Sequence, residues 1–264
     1  MADFDDFQDD FVVPRDPSKI DMWELAQALS GLILFDDTYL RMQGTNVALI
    51  DRWLMDLESQ VGARLAAEDR TPIDDAMFLN AFSQMWMFAA YELLRTWRQR
   101  AKDCLKWIDS GGVDQKIASL KEDRGYINFG KAMRASQLEA LKKIENASEK
   151  IRDDLRRVHI PFTELEVLRV SLAKHEVRGK PNMPFSAPGY ARIDRMTGSL
   201  SYELGGGRVI LGYRTRREIS DGLRAIPNGP PPTEEEIKDF DEFMKELGSE
   251  AELPLADMDE DQPF

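Results

Sequence analysis

The chain of 264 residues holds one cysteine, Cys104, and two histidines, His159 and His175. A single cysteine excludes an intramolecular disulfide, and with so few sulfur and imidazole donors a zinc cluster lacks its ligands. Neither a metal nor a resident cofactor is expected. This usage fits a reducing, cytoplasmic compartment. Long apolar runs are missing as well: the longest, MWMFAA at Met85 to Ala90, falls far short of the roughly 20 residues that cross a bilayer. The N-terminus, MADFDDFQDDF, is acidic and lacks the apolar stretch of a secretory signal, so no membrane anchor or export is expected. A phosphate-cradling glycine loop is also absent. Gly205 to Gly207 lies between two strand-like segments with no helix and lysine behind it, which makes it a turn. No serine or cysteine stands in a nucleophile setting. Cys104, flanked by tryptophans on a helical pattern, has the features of a small core residue, and a Cys–His pair would need it to meet His159 or His175 across the fold.

Apolar residues make up 42% of the chain, enough at this length for a core without disulfide or metal. The net charge of −13 is distributed in blocks. Residues 1–20 carry six acids and two bases, and residues 227–264 carry thirteen acids and two bases. Between them, residues 131–224 carry nineteen bases against twelve acids. A basic block inside acidic ends suits either a polyanion-binding segment or a solvated helix face balanced by its own tails.

Hydrophobic periodicity predicts a mainly α protein. Residues 1–20 form an acidic segment with Phe4, Phe7 and Phe11 among aspartates, expected to be disordered alone and able to dock on a partner. Residues 21–180 are expected to form a bundle of four or more helices. The spacing predicts helices over Asp21 to Phe35, Val47 to Ala67 (capped by Thr45 or Asn46), Ala76 to Ile108, and Asp114 to Lys121. A long charged helix follows from Lys131 to Val158. Pro161 is expected to end it, and a Thr163/Glu166 capping box to start another that runs to about His175. Residues 181–226 change texture to a small antiparallel meander (Tyr190 to Asp194, Ser199 to Leu204, Arg208 to Tyr213) with a closing helix capped by Thr215. Residues 227–264 form a proline-rich linker and a disordered acidic tail, with one amphipathic helix over Thr233 to Leu247 as a docking element or lid.

Both histidines follow an arginine at short range: Arg152 and His159 in RDDLRRVH, Arg169 and His175 in RVSLAKHE. On a regular helix Arg152 and His159, seven apart, share a face, whereas Arg169 and His175 point roughly 120° apart. If a helix ends at Pro161, His159 lies near its negative end, which favours the imidazolium. Glu92, Arg95 and Arg98 form an ion-pair pattern at turn spacing that either stabilises the helix surface or orients a site residue.

With these Arg-x(4–6)-His motifs the chain resembles the HEPN superfamily, helical bundles that include metal-independent endoribonucleases of toxin and defence systems. The resemblance implies that Arg169 holds a scissile phosphate while His175, flanked by Lys174 and Glu176, acts as general acid or base. Arg152 and His159 form the other candidate pair. It also implies a homodimer in which two copies of the motif meet. Val170 departs from the polar residue that usually follows the motif arginine, and Lys174 is one residue more than the motif carries. The two readings are an RNA-cleaving or RNA-binding effector and a non-catalytic interaction protein that docks partners through its acidic–aromatic ends. A third, a small-molecule enzyme built on Glu92 and Arg95, rests on that spacing alone.

Overall fold

Helices dominate and a small antiparallel sheet follows them, the mainly α architecture that the patterning predicts. The computed structural model describes residues 15–122, 128–173, 191–206 and 209–249. A 3-10 turn, Pro17–Lys19, leads into α1 (Glu24–Ser30), α2 (Thr38–Glu68), α3 (Ile73–Asp109), α4 (Val113–Lys121), α5 (Phe129–Leu141) and α6 (Ala147–Ala173). The meander β1 (Arg192–Ile193), β2 (Leu200–Gly206) and β3 (Val209–Thr215) comes next, then α7 (Arg216–Ala225) and α8 (Glu234–Ser249). Among the described residues no helix is long and apolar enough to cross a membrane. The acidic stretches 1–14 and 250–264, and the proline-rich loop expected after Lys180 as far as residue 190, lie outside the described residues.

Helix α3 is the axis of the bundle because its first half, through Tyr91, is apolar on a very broad face. It packs against α2 and α6, while α4 pairs with α5 and α1 rests on α2 and α7. Trp86 and Trp97 of α3 are fully buried, and each indole N–H finds a backbone carbonyl: Trp86 Nε1 donates to Val47 O (3.0 Å) and Trp97 Nε1 to Ile33 O (2.8 Å). Burial of so large a ring is favourable only when that polar handle is satisfied.

Leu32, Leu34 and Phe35 are buried although the segment 31–36 is not helical, so its inner backbone groups need partners from elsewhere. They have them. Asp154 accepts from Ile33 N (2.7 Å), and Gln137 Nε2 donates to Leu34 O (2.9 Å), at a residue with φ of 67°. The helix predicted over Asp21 to Phe35 is therefore only α1, with the rest a pinned loop.

Two further boundaries differ from expectation. Helix α2 begins at Thr38, where the Asp37 side chain accepts from Tyr39 N and Leu40 N, and it passes through Gly44 without a break. The glycine is needed there: a Cβ would stand 3.0 Å from the Phe35 ring, itself fully buried. The long helix expected from Lys131 instead stops near Leu141, turns through Asn146 (φ 54°), and restarts as α6. Asn tolerates the left-handed conformation better than most residues. Pro161, the expected helix end, lies inside α6. Interior proline costs about 3 kcal/mol, which the burial of Val158, Phe162 and Leu165 around it offsets. Thr163 Oγ1 donates to His159 O (2.9 Å), and no capping box forms there.

The meander is tied to α2 through charge. Thr215 caps α7 with Glu218 in a reciprocal capping box, as expected, and this directs Arg216, Arg217 and Arg224 inward. Arg216 donates to Glu58 (Nε 2.9 Å, Nη2 2.5 Å) and to Asp51, and lies over the Trp86 ring at 5.3 Å. Arg224 reaches Asp51, and Ser199 Oγ donates to Glu58 Oε1 (2.9 Å). Burial lowers the basicity of Arg216, and Glu58 and Asp51 more than reverse it, so it stays charged.

Candidate functional site

Of the three candidate residues described on α6, Arg152 and Arg169 reach α3, and His159 meets α8. Running antiparallel, α3 and α6 bring Arg152 to Asp109 (3.0 Å), the Arg98 guanidinium over the Phe162 ring (3.9 Å), and the Arg169 guanidinium over the Tyr91 ring (5.1 Å). Tyr91 Oη donates to Glu166 Oε1 (3.2 Å), and Tyr91 and Phe162 stack with centroids 5.3 Å apart. The seam is a row of cations interleaved with aromatics, Tyr91, Arg98, Lys102 and Lys106 on α3 beside Arg152, His159, Phe162 and Arg169 on α6. Seven, four and four residues separate the α3 members, close to whole turns of helix.

Burial and mutual repulsion show in the basicities. Burial, more than Glu166 and Asp241 can offset, pushes the Arg98 guanidinium below its ordinary value. Burial also lowers Lys102, helped by the neighbouring charges of Arg98 and Lys106. Tyr91 is raised by burial and by Glu166. Cations held this way gain from any added negative charge.

The chain itself supplies one such charge. Helix α8 carries seven acids and two lysines and packs on α6 and β2. Thr233 and Glu236 cap its start reciprocally (Thr233 N to Glu236 Oε2, 2.7 Å). Arg157 Nη1 donates to Ile226 O (3.0 Å) and Gly229 O (2.6 Å), which fixes the linker into α8 two residues before His159. Asp241 Oδ1 then meets His159 Nε2 at 2.7 Å, and Phe240 approaches the imidazole edge-to-face at 6.3 Å. His159 is 20% exposed and Asp241 35%. The amphipathic helix expected as a docking element or lid is thus docked on its own bundle.

Arg152 and His159 take different acids, Asp109 and Asp241, one on α3 and one on α8. His159 lies in the middle of α6, so the helix-end field expected around it is absent. Arg98 senses the same Asp241 that His159 binds. Glu92 and Arg95 form an exposed pair (2.6 Å) on the outer side of α3. Lys174, His175 and Glu176 lie outside the described residues. Lys102, Phe162 and Tyr91 were not singled out from sequence, and Glu166 was expected only as a capping partner of Thr163, although the turn-spaced cations of α3 carried a signal.

A concavity of about 290 Å³ lies between the 3-10 turn, α2 and the β1–β2 turn, away from the seam, with Arg15, Arg195 and Arg217 in its wall. Arg15 is paired there with Glu24 and Arg217 with Asp221, so two of these cations are already matched. Among the described residues, no three His, Cys, Asp or Glu side chains gather as a metal site. Cys104 is buried with its thiol raised by burial, and it accepts from Arg134 Nη2 (3.4 Å).

No family model matches this chain, and neither curated proteins nor solved structures give a significant match.

Proposed function

We propose that the protein is an RNA-directed effector of the HEPN-like kind, which engages RNA along the α3–α6 seam and is restrained by its own α8. The observation that supports this reading is the acidic α8 packed on α6 with Asp241 on His159, where its charge also reaches the half-buried Arg98 of α3. A nucleic-acid strand offers the same chemistry, phosphate charge for Arg98, Lys102 and Arg169 and a base face for an aromatic ring. In this role His159 is the acid–base group. The ribose 2′-oxygen bonds to phosphorus as it loses its proton, and the 5′-oxygen leaves with a proton, a reaction open to RNA and not to DNA. The pair Arg169 and His175 remains the motif-based alternative for the same step.

Fluorescence anisotropy and gel cleavage with single-stranded RNA in chelator test the proposal on the full chain and on the Phe240→Ala/Asp241→Ala variant. Opening the seam should tighten RNA binding by about tenfold, with a steep salt dependence. Cleavage should appear, and His159→Ala should abolish it without abolishing binding. If neither protein binds RNA, the proposal fails. Binding without cleavage by any variant removes the nuclease part of it.

A non-catalytic interaction protein is the second reading. It is favoured by the separate pairing of Arg152 and His159, which leaves no shared grip on one phosphate.

A further inference from the structure

Helix α3 presents an apolar ridge to solvent. Ile73, Met77, Ala81, Met85 and Ala89 recur every four residues and are all exposed, and Phe78 stands beside them. Among the exposed residues of α3 from Ile73 to Ala89, Asp74 is the only charged one. The neighbouring α2 extends this face with Leu49, Ile50 and Trp53, joined to it by Trp53 edge-on to Phe82 (4.8 Å) and Phe82 stacked on Phe78 (6.5 Å). The seven large side chains are 41–68% exposed. At on the order of 200 Å² for a fully exposed large side chain they present roughly 750 Å². A stable protein interface needs about 800 Å² from each partner, and an apolar patch of this size on a lone soluble chain is unusual.

We infer that this face pairs with a second copy of the same chain, as an isologous dimer whose two-fold axis passes near Ala81. The ridge is complementary to itself about that point. With two α3 helices antiparallel, Ala81 meets Ala81 and Met77 meets Met85, so bulk faces bulk on either side of a small residue where the backbones cross. Rows at four-residue spacing interdigitate in helix packing of this kind. Each copy carries a net charge of −13, which opposes association. The contact is apolar, so salt strengthens the dimer by screening that repulsion, the reverse of an ion-paired interface.

Sedimentation velocity of the full chain at about 50 µM, above the micromolar Kd that an interface of this size supports, tests the inference. A species of twice the 30.2 kDa chain mass is expected, with its dissociation constant falling as salt rises. Phe78→Glu and Met85→Glu alter side chains that are exposed within one chain, so circular dichroism should be unchanged while the dimer weakens at least tenfold. Ala81→Cys should cross-link two chains under mild oxidation, because Cys104 is buried. A wild-type monomer at this concentration overturns the inference. So does a dimer untouched by both glutamates and uncross-linked by Ala81→Cys. A wild-type monomer that dimerises once residues 1–14 are removed overturns it too, since the acidic–aromatic N-terminal segment would then be the occupant.

Discussion

Replacing Glu58 by Gln keeps the shape of the side chain and removes one buried charge. Glu58 is fully buried, and its carboxylate takes two bonds from Arg216 and one from Ser199, with Arg217 Nη1 at 3.7 Å. Without it, three buried guanidiniums face Asp51 and the partly exposed Asp221 alone. Breaking a buried ion pair by removing one partner costs about 3–5 kcal/mol, a large share of a stability of about 5–15 kcal/mol. At about 2–4 °C per kcal/mol for a chain of this size, Tm should fall by roughly 6–20 °C. Urea unfolding followed by tryptophan fluorescence reads the same loss directly, since Arg216 lies over Trp86. The double replacement Glu58→Leu/Arg216→Leu should recover much of it, because Asp51 keeps Arg224 and Arg217 keeps Asp221. A loss under about 1 kcal/mol, the scale of an exposed pair, would refute the argument that these charges are held dry.

Asp154 is raised by burial, opposed by the bond from Ile33 N. A carboxyl whose folded value lies above its unfolded one contributes stability that is full below the unfolded pKa and is lost as pH rises through the folded one. Asp154→Asn should therefore gain on wild type between pH 4 and neutrality in urea midpoints, and a pH-independent gap would contradict it. Gly198→Ala would put a Cβ 1.9 Å from Glu58 O at a φ of 73°, so a cost of roughly 3 kcal/mol or more is expected in thermal unfolding. The Cys104 thiol, raised by burial, should resist iodoacetamide in the native protein and react at the rate of urea-induced opening. Fast labelling without denaturant would show the site to be open.

Element types were legible in the sequence wherever a single helix face set the pattern, as in α2, α3 and the Thr215-capped α7. Boundaries failed where a long-range contact overruled local propensity. Gly44 is a glycine because Phe35 leaves no room for a Cβ, so it marks a packing contact inside α2 and not a break, and Pro161 stays helical because its flanks are buried. The break at Asn146 carried only a weak local mark. At the candidate site, the arginines that precede each histidine were easy to find, but a helix repeat cannot show that His159 shares Asp241 with Arg98 of α3 while Arg152 pairs with Asp109. Nor could it show that α8 folds back. Charge blocks suggested that the tail and the basic segment attract, and the docking geometry came from Arg157 gripping two linker carbonyls.

Helix α3 explains why the two proposed surfaces can coexist. Its outward side is apolar from Ile73 to Ala89 and becomes charged from Glu92 to Lys106, so one rigid element carries two chemistries end to end. Its inward side is continuous, with Leu79, Trp86, Leu93, Trp97 and Cys104 buried along the whole length. A dimer through the first half would leave the second half, with Arg98, Lys102 and the α6 residues beside it, away from the two-fold axis. Each copy would then present its seam separately. The acidic α8 lies on α6 and β2, with Asp241 on His159 and its charge felt by Arg98, so lifting it changes the charge of the seam without disturbing the apolar ridge. Variants in Phe78 or Met85 and variants in Phe240 or Asp241 therefore act on separate ends of one helix, and their effects should add.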